Sequence, residues 1–252
     1  TMRRSKFKIS TATLVIGGLL TLGILSEPAL SGTFSEDLRE GLPGRRISGG
    51  SRSPNTTCRA DSNQPVVALI PENNLGLTLT DRPTLWFSLP AISPDRSLEF
   101  GLFNQAGDLL YQKSLKPPAE AGLTHLTLPE TDEPLQAEQD YRWYLSVVCN
   151  PESRSEDLFV TGWIRRVQPT HDIEQQLATG TQQEHLALYK EKNAWLDALT
   201  TLGKLRREDP TDTVLSQDWN SLLAAVNLTQ ASTIPIGELL EYRIDPQGAQ
   251  MP

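Results

Sequence analysis

The sequence predicts an α+β fold in two parts, an antiparallel β-sandwich followed by an α-helical hairpin region. Three observations predict it. Between residues 58 and 167, short apolar runs are separated by turn residues at the spacing of a sandwich. The stretch DYRWYLSVVC, residues 140–149, alternates strictly, with Tyr141, Trp143, Leu145, Val147 and Cys149 on one face. After Val167 the apolar residues recur at three and four positions, the period of a helix.

The first segment, residues 1–31, is laid out as a secretory signal peptide. Met2–Lys8 carries Arg3, Arg4, Lys6 and Lys8, Leu14–Leu25 is apolar, and the small residues Ala29 and Ser31 stand before Gly32 as at a cleavage site. The apolar run is short for a bilayer span, and an uncleaved N-terminal anchor is the alternative reading. Residues 32–57 are rich in Gly, Ser, Pro and Arg and read as a flexible tether.

The sandwich, residues 58–167, follows. Its expected strands are Val66–Ile70, Pro83–Leu89, the runs LEFGLFN and DLLYQKSL, Leu123–Leu128, the run ending at Cys149, and Asp157–Val167. PENNLG after Ile70 reads as a turn cluster, and NQAGD as a hairpin turn with Gly107 in the left-handed position. Leu135 stands six positions before Tyr141, which looks like the tyrosine corner of immunoglobulin and fibronectin type III sandwiches. The sandwich is therefore expected to be immunoglobulin/fibronectin-like, with Trp86 and Trp143 in its core.

Residues 171–242 form the helical region. IEQQLA and the longer run TQQEHLALYKEKNAWLDALTTLGKLRRED are helical in period, with a break at Asn193 and a stop at Pro210. A further helix, capped by Thr211 or Asp212, carries Leu215, Trp219, Leu222, Leu223 and Val226 on one stripe. TIPIGELLEYR suggests a short final helix with Pro235 in its first turn. The central pair resembles one tetratricopeptide unit: Tyr189, Ala198, Leu202 and Pro210 fit, while Leu205 replaces the usual small residue. One such unit cannot bury its own face. Residues 171–228 are therefore expected to pack on the sandwich, against Trp163 and Ile164.

The chemistry is sparse. Lys and Arg number 23 and Asp and Glu 31, so the chain is acidic, with net charge −8. That excludes nucleic acid as an expected partner. The two cysteines, Cys58 and Cys149, read as a disulfide in an exported chain; free thiols and a catalytic Cys149 are the alternatives. Dinucleotide, Walker, nucleophile-elbow and H-E-x-x-H motifs are absent, and His125, His171 and His185 lack metal-ligand spacing. No catalytic residue, metal or cofactor is expected. Glu72, Asn73, Asn74, Thr78, Asp81 and Arg82 form the candidate ligand loop, or else fold over the sandwich rim.

LPGRR (Leu42–Arg46), ALIPENNLGLTLTDRPTLWFSLP, YRWYLSVVCNPESRSEDLFVTGWIRRV and LYKEKNAWLDALTTLGKLRREDPTD together resemble the Domain of Unknown Function 928 family, found mainly in cyanobacteria. The resemblance covers about residues 42 to 236 and implies no activity. The residues lead to one expectation: an exported, non-catalytic binding or scaffold protein of the periplasm or cell surface, with a protein partner in the envelope. Its membrane contact would be limited to an uncleaved anchor. The alternative is an envelope hydrolase acting on glycan or peptide through carboxylates near 72–82 or 150–157 (Glu72, Glu152, Glu156, Asp157).

Overall fold

The computed structural model describes residues 42–49, 64–118 and 120–242. Their strands are β1 (Val67–Ala68), β2 (Leu75–Thr78), β3 (Thr84–Leu89), β4 (Ser97–Phe103), β5 (Leu109–Leu115), β6 (Gly122–Thr127), β7 (Asp140–Val148), β8 (Leu158–Arg166) and β9 (Ile236–Leu239). The helices are α1 (His171–Thr179), α2 (Gln182–Glu191), α3 (Trp195–Glu208) and α4 (Thr213–Ala224). The fold is α+β, with two sheets ordered β1-β3-β6-β9 and β2-β8-β7-β4-β5.

The sheets are mixed, which corrects the antiparallel expectation. β2 runs parallel to β8, and β9 parallel to β6. Both are edge strands that reach their partners through long connections, so no tight hairpin fixes their direction. The interior of the sheets follows the sequence more closely. β7 lies between β4 and β8, and Tyr141, Trp143, Leu145 and Val147 are buried on its inner face. Phe87 on β3 meets Trp143 edge to face across the two sheets, ring centroids 5.7 Å apart. Gly107, with φ +94°, makes the β4–β5 turn.

The helices join the same core. The Trp195 indole N–H donates to the Leu69 carbonyl at 2.7 Å, and that of Trp86 to the Thr200 hydroxyl at 3.1 Å. Trp86 and Trp219 meet edge to face at 6.0 Å. The sandwich side of this contact is thus built from Leu69, Trp86 and the β2 region. Trp163 instead donates to the Pro43 carbonyl at 2.9 Å, while Ile164 is fully buried. Docking holds for α3 and α4 but not for α1, none of whose residues is buried.

Local signals place the helix ends. Thr181 and Glu184 form a reciprocal capping box, Asp212 accepts from Val214 and Leu215 N–H, and Asn193, at φ +54°, separates α2 from α3. The expected final helix is absent. Residues 229–231 make one 3-10 turn, and β9 follows Pro235. The β6 edge supplies the partners: Leu123 N–H donates to the Pro235 carbonyl, and Leu240 N–H to the His125 carbonyl. Long-range pairing outweighs a weak local helix signal.

The expected signal peptide, residues 1–31, lies outside the described residues, as do most of the expected tether, 32–57, and Cys58, one half of the expected disulfide. Residues 42–49 do not behave as a free tether. Arg45 exchanges backbone hydrogen bonds with Thr161, Ser48 N–H donates to the Val66 carbonyl, and Ser48 is buried. Arg46 ties the segment to two other regions, donating to the Val226 carbonyl at 2.7 Å and pairing with Glu72 at 3.1 Å.

Candidate functional site

A β-bulge starts the site. On β4, Leu102 and Phe103 are consecutive, but their β5 partners are Tyr111 and Leu109, so Leu110 is the extra residue. A bulge redirects a side chain that regular pairing would fix. Leu110 lines a cavity of about 470 Å³ together with Asn104, Tyr111, Tyr141 and residues 131–136. That volume lies in the usual range of ligand sites.

The wall opposite β5, residues 129–136, is held from several directions. Arg82 donates to the Pro129 carbonyl and, at 2.7 Å, to the Asp132 carbonyl. Leu135 N–H donates to the Asp81 carbonyl, and Arg166 to the Leu135 carbonyl at 2.7 Å. Gln136 N–H donates to the Tyr141 hydroxyl at 2.8 Å, the corner contact anticipated from the Leu135–Tyr141 spacing. Lys113 bonds the Asp132 carboxylate at 3.2 Å. A loop fixed at so many points presents a preformed surface, which lowers the ordering cost of binding.

The cavity mixes apolar and polar groups. Leu110, Pro134 and Leu135 supply apolar contact, and Asp132, Glu133, Gln136 and Thr131 supply polar groups. The Tyr111 hydroxyl is buried with no hydrogen-bond partner. Burial first, then Tyr242 and Asp132, holds it well above an ordinary phenol, so it remains a neutral donor.

The residues singled out in the sequence are dispersed. Glu72 is engaged by Arg46. Asn73 Oδ1 accepts from Leu75 N–H, and Asn74, at φ +60°, donates to the Leu42 carbonyl. Thr78 is fully buried and donates to Asp197 at 3.1 Å. Asp81 and Arg82 alone reach the cavity region, as braces behind its wall. The six residues of the 72–82 stretch therefore engage separate partners and do not line one cavity together. The 150–157 carboxylates also disperse: Arg154 pairs with Asp157 at 2.5 Å and with Glu99 at 3.1 Å, while Glu152 is exposed. Burial pulls Glu99 upward, but Arg154 and Tyr144 outweigh it and hold the acid below its ordinary value.

Burial also displaces Asp197 and His125. Asp197 accepts from Leu79 N–H at 2.8 Å, and desolvation pushes its pKa up to about 6 against these hydrogen bonds. His125 stacks on Trp86 at 4.7 Å, and desolvation, then Arg207 and Lys204, lowers it to about 4. Both lie at the helix–sandwich junction, away from the cavity lining. Cys149 is fully buried, and its N–H donates to Asp157 at 3.0 Å.

Among the described residues no group of three or more His, Cys, Asp or Glu could hold a metal ion, and no helix is long and apolar enough to cross a membrane. Leu110, Tyr111, Asp132, Glu133 and Gln136 were not visible as a site in the sequence, because turns and a bulge, not a motif, assemble them. A family model described as Domain of Unknown Function (DUF928) matches residues 47–236. No curated protein and no solved structure matches the chain.

Proposed function

The chain belongs to the DUF928 family, and from that premise we propose that it is an exported binding or scaffold protein of the cell envelope. It holds a protein partner at the cavity between β5 and residues 129–136. The observation that carries this reading is the preformed wall: Arg82, Arg166, Lys113 and Tyr141 fix the loop beside a bulged strand that exposes Leu109 and Leu110. Exposed apolar side chains beside a cavity of this size suit recognition.

The finer fold reading belongs to the same proposal. The sandwich is immunoglobulin-like: the β3–β6 pair and the β8-β7-β4 triplet reproduce the central neighbours of its two sheets, and the Tyr141 corner contact supports it. The α2–α3 pair is tetratricopeptide-like, supported by the packing of Ala198 and Leu202 in the core and the stop at Pro210. Export is supported by the charged, apolar and small-residue order of residues 2–31. A Cys58–Cys149 disulfide fits that compartment. Edman sequencing starting near Gly32, and an intact mass lower by two hydrogens than that of the reduced protein, are expected.

The binding reading is tested by placing a photo-cross-linking residue at position 110 and, as control, at exposed Glu208. Incubation with envelope extract should give a discrete cross-linked band from position 110, competed by excess unlabelled protein. Equal labelling from both positions would overturn the assignment of the site.

A further inference from the structure

We infer that β5 is a docking edge for an extended, basic segment of the partner, which adds to the five-stranded sheet as a further strand. This rests on the binding reading above and specifies its chemistry. β5 ends the order β2-β8-β7-β4-β5, residues 129–136 meet it through side chains such as the Lys113–Asp132 pair, and among the described residues backbone pairing on its outer side is confined to its C-terminal end. There Leu115 bridges Tyr242 in antiparallel fashion, and Lys116 N–H donates to the Glu241 carbonyl at 3.0 Å. The backbone of Lys116 therefore faces away from β4. Alternate residues of an antiparallel strand direct their N–H and C=O groups to the same side. Ser114 and Gln112 thus present theirs to the same outer edge, continuing the line that residues 241–242 have begun.

Such an edge is normally blunted by lysine, proline or a bulge. On β5 the lysine, Lys113, is tied to Asp132, and the bulge places Leu110 on the cavity wall. Leu109 and Leu110 remain 49% and 46% exposed, so the edge offers apolar side-chain contact as well as backbone pairing. Charge selects the occupant. Asp108, Glu130 and Glu133 flank the edge and cavity, all exposed, and no ion pair among the described residues takes them up. Lys113 and Lys116 are neutralised by Asp132 and Glu241. An incoming strand with alternating apolar and basic side chains would place its apolar residues on Leu109, Leu110 and the cavity and its cations on these carboxylates.

The test uses a labelled decapeptide of alternating valine and lysine and its valine–glutamate counterpart. The lysine peptide should bind at micromolar concentration, slow amide exchange at Gln112 and Ser114, and bind at least tenfold more tightly than the glutamate peptide. Gln112→Pro removes an outward N–H that β4 does not use, and should weaken binding at least tenfold. Leu110→Lys, which leaves the backbone intact, should do the same and covers the case in which the proline variant fails to fold. No binding by the lysine peptide at millimolar concentration, equal binding by the two peptides, or full affinity in both variants would overturn strand addition. If position 110 still cross-links its discrete partner under any of those outcomes, the binding reading survives and only the edge mechanism falls.

Discussion

Asp197 and His125 have opposite effects on stability over the same pH range. Asp197 has its folded pKa raised to about 6, so the folded state retains a proton that the unfolded chain gives up near 4. Its contribution is most favourable below the unfolded value and is lost as pH rises through 6, on the order of 3 kcal/mol in all. His125 is depressed to about 4, so its contribution is present above its unfolded value near 6.5 and is lost as pH falls toward 4. In the native protein the two slopes oppose each other. Relative to wild type, Asp197→Asn should gain stability as pH rises from 4 to 6, and His125→Gln should lose it. Urea titrations at pH 4.5 and 6 measure this, and parallel slopes for all three proteins would refute the pairing. At the same scale, Tyr141→Phe removes the acceptor for Gln136 N–H. It should cost about 1 kcal/mol and speed amide exchange across residues 129–136, read by mass spectrometry.

At the scale of elements, packing decides against propensity at Gly203. Alanine there would favour helix α3 by up to about 1 kcal/mol. Its Cβ, however, would lie 2.6 Å from the Trp86 ring, and overpacking of that kind costs about 1–3 kcal/mol. Gly203→Ala should therefore lower the thermal midpoint; a raised midpoint would show that the α3–β3 contact yields easily. The same competition between local and distant forces explains what could be read from the sequence. β7 was legible because one buried face imposes strict alternation, and the β4–β5 hairpin because Gly107 marks its turn. β2 was hidden inside a run of turn residues, since its partner β8 is far along the chain and parallel to it. β9 was hidden because Pro235 and the Leu pair that follows it mimic a helix start, while the β6 edge that captures it leaves no local trace. The candidate cavity was half legible: Tyr141 and Leu135 were recognisable as a corner, but the bulge at Leu110 depends on register alone.

Across the molecule, one hydrophobic core runs from both sheets into α2, α3 and α4. Trp86, Trp195 and Trp219 are almost fully buried where the layers meet. Exposing any one of them would forfeit on the order of 2–3 kcal/mol, so the helices should not separate from the sandwich short of global unfolding. Limited proteolysis should therefore fail to release a folded sandwich, although α1, with no buried residue, is the expected first cut. A folded sandwich fragment ending near Val167 that separates from the helical fragment under native conditions would contradict this. β9 adds a mechanical consequence. Because the helices lie between β8 and a strand that returns to β6, β9 acts as a clasp at the end of the excursion. Tension applied through the two ends of the chain would load that clasp before it reached α2–α4. In a pulling experiment the first rupture on the C-terminal side should be the small one in which residues 241–242 leave β5 and β9 leaves β6, with the tryptophan-lined helix layer yielding only afterwards.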